Sequence, residues 1–164
     1  MMNEKDKKLI IQLASNSITE EDFLSEFSSD QLDVKRVLED AFDSRDPDDV
    51  EFGIVLGFRF GLPEKCVSIL IKLLKADWHF KHEDIAMALQ KMKAAESVES
   101  LYEAALTEFD YLDYDDSYAL SVKCIWGLGD IGNGEAIEKL KLLSSVKNSI
   151  IARESKKQLD RLAS

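Results

Sequence analysis

Two histidines and a glutamate in the middle of the chain have the residue types and spacing of metal ligands, in the order His79-x-x-His82-Glu83. Residues three apart share a helix face, and two imidazoles with one carboxylate suit zinc or iron. A complete site needs further ligands, and these are the only two histidines among the 164 residues. We therefore predict no metal site, and expect His82 or Asp84 to cap the helix that follows.

No other pattern in the chain indicates catalysis or cofactor binding. Residues 127–132 match G-x-G-x-x-G by letter, but they follow a helical pattern, whereas a dinucleotide site needs a preceding strand. Carboxylates are numerous, yet none stands in a motif typical of acid–base catalysis. We predict no catalytic residue and no cofactor, and expect that the protein is not an enzyme.

The composition indicates one helical, acidic domain. Apolar residues make up 45% of the chain, which is enough for a core, and 7 glycines with 2 prolines are too few for a turn-rich β fold. The net charge of −11 disfavours binding to a phosphate backbone, so we expect no nucleic-acid partner.

The sequence also predicts a cytoplasmic protein without a membrane partner. No apolar run reaches the ~18 residues that a membrane span needs, and the charged start does not resemble a secretion signal. Cys66 and Cys124 each lie among apolar neighbours, so we expect both to be buried, reduced thiols.

Apolar residues recur at helical spacing from residue 4 to residue 162, and no stretch alternates as a strand does. Thr19, Ser29-Asp30 and Asp46-Pro47 predict helix starts. From Pro63 onward, the pattern predicts short helices in pairs.

The chain also resembles itself. Residues 88–101 align with residues 127–140 at an offset of 39, and Val67 and Leu70 match Val98 and Leu101 at an offset of 31. Such periods are typical of two-helix repeats, which bury their apolar faces only by stacking on their neighbours.

Residues 117–145 resemble a HEAT repeat, with the pattern Leu-Gly-x-Ile-Gly-x-x-x-Ala-Ile at residues 128–137, similar to the short bacterial form seen in phycobilisome-lyase-like repeats. Residues 47–162 resemble a bacterial group of small HEAT-repeat proteins, and the resemblance centres on residues 77–85, 111–115 and 123–126. It implies an all-α, right-handed α-solenoid of HEAT-like helical hairpins over residues 47–164. Residues 1–46 do not fit the repeat, and we predict that they form a helical N-terminal cap on a single compact domain.

Members of this group look like immunity proteins of contact-dependent or polymorphic toxin systems. The resemblance therefore implies a binding protein that neutralises a toxin, whereas HEAT repeats in general also serve as adaptors for other protein partners. A metal-dependent or lyase-type enzyme is the third hypothesis. The sequence leaves the oligomeric state open.

The charge is concentrated in two blocks. Residues 19–51 carry 13 acids and 3 bases, and residues 95–118 carry 8 acids and no base. Acids are favoured at helix starts, but two such blocks also suit a basic partner, because opposite charge speeds encounter.

The acidic residues and several aromatic residues fall at equivalent junctions of the predicted helix pairs. In a solenoid these junctions line up along one edge, which predicts an acidic, aromatic surface for a basic protein, with rings as anchors and carboxylates for Lys and Arg. The candidate partner-binding residues are Asp43, Asp46, Asp48, Asp49, Asp77, Trp78, His79, Asp110, Tyr111, Asp113, Tyr114, Asp115 and Asp116.

Overall fold

The computed structural model describes residues 2–27 and 32–164, and all regular structure in these residues is helical. The predicted all-α class is thereby confirmed, while the predicted helix start at Ser29-Asp30 lies outside the described residues. None of the described helices has the length and apolar character needed to cross a membrane. The α-helices are α1 (Glu4–Ala14), α2 (Glu20–Glu26), α3 (Val34–Ser44), α4 (Pro47–Phe60), α5 (Val67–Lys75), α6 (His82–Met92), α7 (Val98–Leu106), α8 (Ala119–Ile131), α9 (Gly134–Leu143) and α10 (Ser149–Ala163).

Side-chain caps fix where several of these helices begin. A side-chain oxygen of the capping residue accepts a hydrogen bond from a backbone N–H of the first turn, which has no partner within the helix. Asp46 accepts from two such groups at the start of α4, and Pro47 follows at the first helical position, as predicted. The other side-chain caps are Asn3, Thr19, Asp33, Asn133 and Asn148.

The chain divides into two compact units, unit 1 from Met1 to Ile69 and unit 2 from Leu70 to Ser164, and the boundary falls within α5. The predicted boundary at residue 46 lies between α3 and α4, which pack against each other inside unit 1. The core of unit 1 includes Phe23, whose ring stacks on Phe27 and Phe60 at centroid distances of 4.6 and 5.5 Å. Its fully buried side chains also include Ile10, Leu13, Leu38 and Leu56.

Unit 2 places α6, α8 and α10 side by side, and α7 and α9 pack against α8. Lys123 forms an ion pair with Glu83, and Gln90 donates to Asp130 at 2.7 Å. Both pairs join α6 to α8 at the same offset of 40 residues, so the two helices run parallel with their N-termini at the same end. Cys124 is buried in this core and Cys66 in unit 1, and both are free thiols, as predicted.

We expect Arg45→Gly to stabilise the protein by about 1 kcal/mol, because Arg45 ends α3 with φ 53°, a left-handed conformation that costs a side chain energy and glycine none. Urea unfolding of the two proteins measures this difference. The control is Asp43→Gly, an exposed position inside the last turn of α3, where glycine is expected to destabilise by up to about 1 kcal/mol. Equal losses at both positions would contradict the prediction.

Candidate functional site

The two histidines of unit 2 are fully buried and stack on each other, with ring centroids 4.3 Å apart. His79 Nε2–H donates to the carbonyl of Leu73 at 2.8 Å, and His79 Nδ1 accepts from the backbone N–H of Lys81 at 3.1 Å. His82 Nε2–H donates to the carbonyl of Ala76 at 2.6 Å. His79 therefore adds a second hydrogen bond to the Leu73 carbonyl, which also accepts from the backbone N–H of Ala76. His82 satisfies the carbonyl of Ala76, the residue directly after α5.

This arrangement corrects the prediction for His82. The residue is the first of α6, but it does not cap that helix; Lys81 holds the cap position, and no side chain bonds to the first turn. His82 instead caps the preceding helix, because its ring turns back toward α5 and is buried there.

His82 also holds the segment that follows α7. Its Nδ1 accepts a hydrogen bond from the Tyr111 hydroxyl at 2.8 Å, and its ring stacks on Phe109 at a centroid distance of 3.8 Å. Tyr111 in turn contacts the edge of Phe80, with centroids 5.3 Å apart. One buried imidazole thus joins the end of α5, the start of α6 and residues 109–111.

The electrostatics of this cluster favour neutral rings. Burial lowers the pKa of His82 to about 4. The hydrogen bond to Ala76 and the charge of Asp77 would raise this pKa, but burial outweighs them. Burial likewise lowers the pKa of His79 and raises the pKa of Tyr111 to about 12. At neutral pH the Tyr111 hydroxyl is therefore a donor and the His82 Nδ1 an acceptor, as the hydrogen bond requires.

Residues 107–118 form an acidic segment between α7 and α8, anchored at both ends. Phe109 is buried at one end, and at the other Asp115 accepts from the backbone N–H groups of Ser117 and Ala119, at 3.0 and 2.8 Å. The hydroxyl and the backbone N–H of Ser117, together with the N–H of Ala119, lower the pKa of the Asp115 carboxyl. Asp115 is thus engaged by backbone N–H groups just before and at the first residue of α8.

Between these anchors Tyr111 points inward to His82, whereas Asp110, Asp113 and Tyr114 are exposed. Tyr114 is 81% exposed and Phe80, on the neighbouring turn, is 62% exposed. Asp110, Asp113 and Asp116 are also exposed and form no ion pair among the residues that the structure describes. We call these five residues the acidic–aromatic ridge of unit 2.

A small cleft of about 190 Å³ lies beside the ridge. The carboxylates of Glu108, Asp113 and Asp116 line it together with Tyr118. Tyr118 precedes α8 with φ 55°, a conformation that is costly for an aromatic residue. The cleft and the ridge together expose aromatic rings and carboxylates to solvent. The segment that carries most of them is fixed by the contacts of Phe109 and Tyr111 with His82.

The structure places the other predicted residues of unit 2 differently. Asp77 is exposed next to the ridge, and Trp78 is half-buried with its ring edge against His79 at 5.3 Å. His79 is buried, so the prediction that it lies on a binding surface is wrong. Tyr111 is half-buried and serves as a link between the surface and His82.

The four predicted aspartates of residues 43–49 belong to unit 1. Asp49 is 2% exposed, and its carboxylate binds Lys7 at 3.0 Å and the backbone N–H of Met2 at 3.0 Å. Asp46 caps α4 and also lies 3.6 Å from Lys7. Asp49 and Asp46 therefore hold α1 and α4 in place, and the prediction that Asp49 lies on an exposed acidic surface is wrong. Asp43 and Asp48 are exposed.

Phe80 is the ridge residue that the sequence analysis missed. Phe80 lies between charged and aromatic residues at the junction of α5 and α6. No pattern in the sequence predicts that its side chain is exposed. The only available signal was its position in the junction that already contained Asp77 and Trp78.

Comparisons of the chain with protein-family models, curated proteins and solved structures find no match.

Proposed function

We propose that the protein is a non-catalytic binding module, an immunity protein that neutralises a cationic protein toxin in the cytoplasm by covering it with the acidic–aromatic ridge. The observation that carries the proposal is the ridge itself, in which exposed Phe80 and Tyr114 stand among three carboxylates without ion-pair partners in the described residues. A nuclease is the toxin class that fits best, because a nuclease surface that binds phosphates also attracts carboxylates.

The geometry of the ridge supports this role. Exposed aromatic rings give large contact areas at a small entropic cost, and carboxylates beside them pair with Lys and Arg as water is excluded. The contacts of Phe109, Tyr111 and Asp115 already fix the segment that carries the ridge. The segment therefore loses little conformational entropy on binding.

We further propose that unit 2 is built as a HEAT-like, right-handed α-solenoid. The parallel helices α6 and α8 pack against each other, and α10, α7 and α9 also pack against α8. Stacked helical hairpins adopt this arrangement. In such a stack the junctions between hairpins fall at one edge, which accounts for the proximity of Phe80 and Tyr111.

The test is charge reversal on the ridge. We expect Asp113→Lys combined with Asp116→Lys to weaken binding of the cationic partner at least tenfold, because attraction becomes repulsion at the interface. The partner is captured from the native host at low salt, identified by mass spectrometry, and titrated calorimetrically with both proteins. Asp115 is left unchanged because it accepts hydrogen bonds from the backbone N–H groups of Ser117 and Ala119.

A matched control variant, Glu135→Lys with Asp160→Lys, makes the same change in net charge at two exposed positions away from the ridge. It should bind within about threefold of the original protein, since only long-range attraction changes. Equal losses in both variants would contradict the ridge as the site.

Growth distinguishes an immunity protein from a general adaptor. Co-expression of the captured partner should arrest growth, and the original chain should relieve the arrest while the Asp113→Lys/Asp116→Lys variant should not. A partner that is harmless to the cell would favour the adaptor.

A further inference from the structure

The outer face of α6, α8 and α10 carries a second surface of opposite charge. Trp126 lies near its centre and is 40% exposed. The guanidinium carbon of Arg161, from α10, lies 5.7 Å from the centre of the Trp126 ring, and its Nη2 donates to Asp130 at 2.7 Å. Arg161 passes closely over Gly129, where a Cβ atom would lie 2.3 Å from Gln158 Oε1 and 2.8 Å from Arg161 Nη2.

On this surface the positively charged side chains are more exposed than the carboxylates with which they pair. Asp130 and Glu154 are largely covered, while Arg153, Lys157 and Arg161, which pair with them, are exposed at spacings of four residues along α10. Burial opposes ionisation of Asp130, but hydrogen bonds from Gln90 and Arg161 outweigh it and lower its pKa. The carboxylates thus remain charged beneath a layer of positive groups.

We call this surface the basic–tryptophan face, defined by Lys93, Lys123, Trp126, Arg153, Lys157 and Arg161. Three carboxylates of this face, Glu83, Asp130 and Glu154, are ion-paired with its cations. The ridge has the complementary composition, with exposed rings and carboxylates that lack cations. The exposed cations of the basic–tryptophan face could therefore pair with the exposed carboxylates of the ridge.

We propose that the basic–tryptophan face binds the acidic–aromatic ridge of a second copy of this chain, so that copies associate head to tail. Opposite charges steer the two surfaces together, and Trp126 meets the exposed rings of the ridge. The contact joins two different surfaces, so a pair of copies retains one unused ridge, on one copy, and one unused face, on the other.

The two surfaces have different centres on unit 2. The ridge lies at the N-terminal ends of α6 and α8, whereas Trp126 is seven residues, or about 10 Å, further along α8. Self-association is measured on the purified chain alone, without a toxin. A negative result for self-association is therefore distinct from a negative result for toxin binding.

The test measures molar mass by sedimentation velocity of the purified full chain over a range of concentrations. At low salt (about 0.02 M) we expect the average mass to rise above the monomer with concentration, and at about 0.5 M salt to return to the monomer, because screening removes the attraction. Trp126→Ala, Arg153→Glu/Lys157→Glu, and Asp113→Lys/Asp116→Lys should each remain monomeric at low salt.

Mixing the variants tests the head-to-tail geometry. Trp126→Ala keeps an intact ridge and Asp113→Lys/Asp116→Lys keeps an intact face, so their mixture should form one-to-one dimers that grow no further. A protein that is monomeric at low salt at every concentration would overturn the proposal. So would a mixture that stays monomeric, or an association that the ridge variant leaves unchanged, since the latter indicates a partner surface other than the ridge.

Discussion

Replacing His82 by alanine is expected to destabilise the protein by about 3 kcal/mol, more than any surface change considered above. The substitution removes the ring that stacks on His79 and Phe109, and the space that it leaves lies in a fully buried site. It also removes the donor to the carbonyl of Ala76, a part-buried hydrogen bond. Urea unfolding of the two proteins, followed by circular dichroism, measures the loss.

Tyr111→Phe is the matched variant, since it removes only the hydroxyl group that donates to His82. The expected loss is about 1 kcal/mol, the usual contribution of one hydrogen bond. Hydrogen exchange adds a spatial readout, because both substitutions should speed exchange at residues 109–118 before any other part of unit 2. A loss below about 1 kcal/mol for His82→Ala would show that the ring does not hold this segment.

The helices were predictable because their signals are local. Apolar spacing of three and four residues, the cap at Asp46 and the proline at position 47 act within one or two turns, and the structure confirms the resulting all-α class. Burial of Cys124 followed in the same way from its apolar neighbours.

The candidate site was less predictable because its contacts join distant parts of the chain. Nothing near His82 in the sequence indicates that its ring meets Phe109 and Tyr111, about 30 residues later. Asp49 illustrates the same limit: an aspartate in an acidic run looks exposed, and only packing against α1 brings Lys7 and the Met2 amide to it. Charge patterns thus located the segments of the ridge, but not which side chains face solvent.

Acid should weaken the fold through the same histidine, and we expect the free energy of unfolding to fall by about 2 kcal/mol between pH 7 and pH 4.5 from His82 alone. The pKa of His82 is about 4 in the folded protein, lowered mainly by burial, and about 6.5 in an unfolded chain. Between these values the unfolded chain binds a proton that the folded chain excludes, so stability decreases as the pH falls. The lowered pKa of His79 acts in the same direction.

His82→Gln separates this effect from the carboxylates, which also begin to titrate in the lower part of this range. Glutamine keeps an N–H donor and gains no proton, so the dependence of unfolding free energy on pH should be shallower by about 1.2 kcal/mol per pH unit near pH 5.5. NMR titration of the histidine ring protons in the original protein provides a second measure that does not depend on the variant. The ring of His82 should remain neutral down to about pH 5, and a midpoint near 6.5 would contradict the buried, hydrogen-bonded imidazole on which the ridge rests.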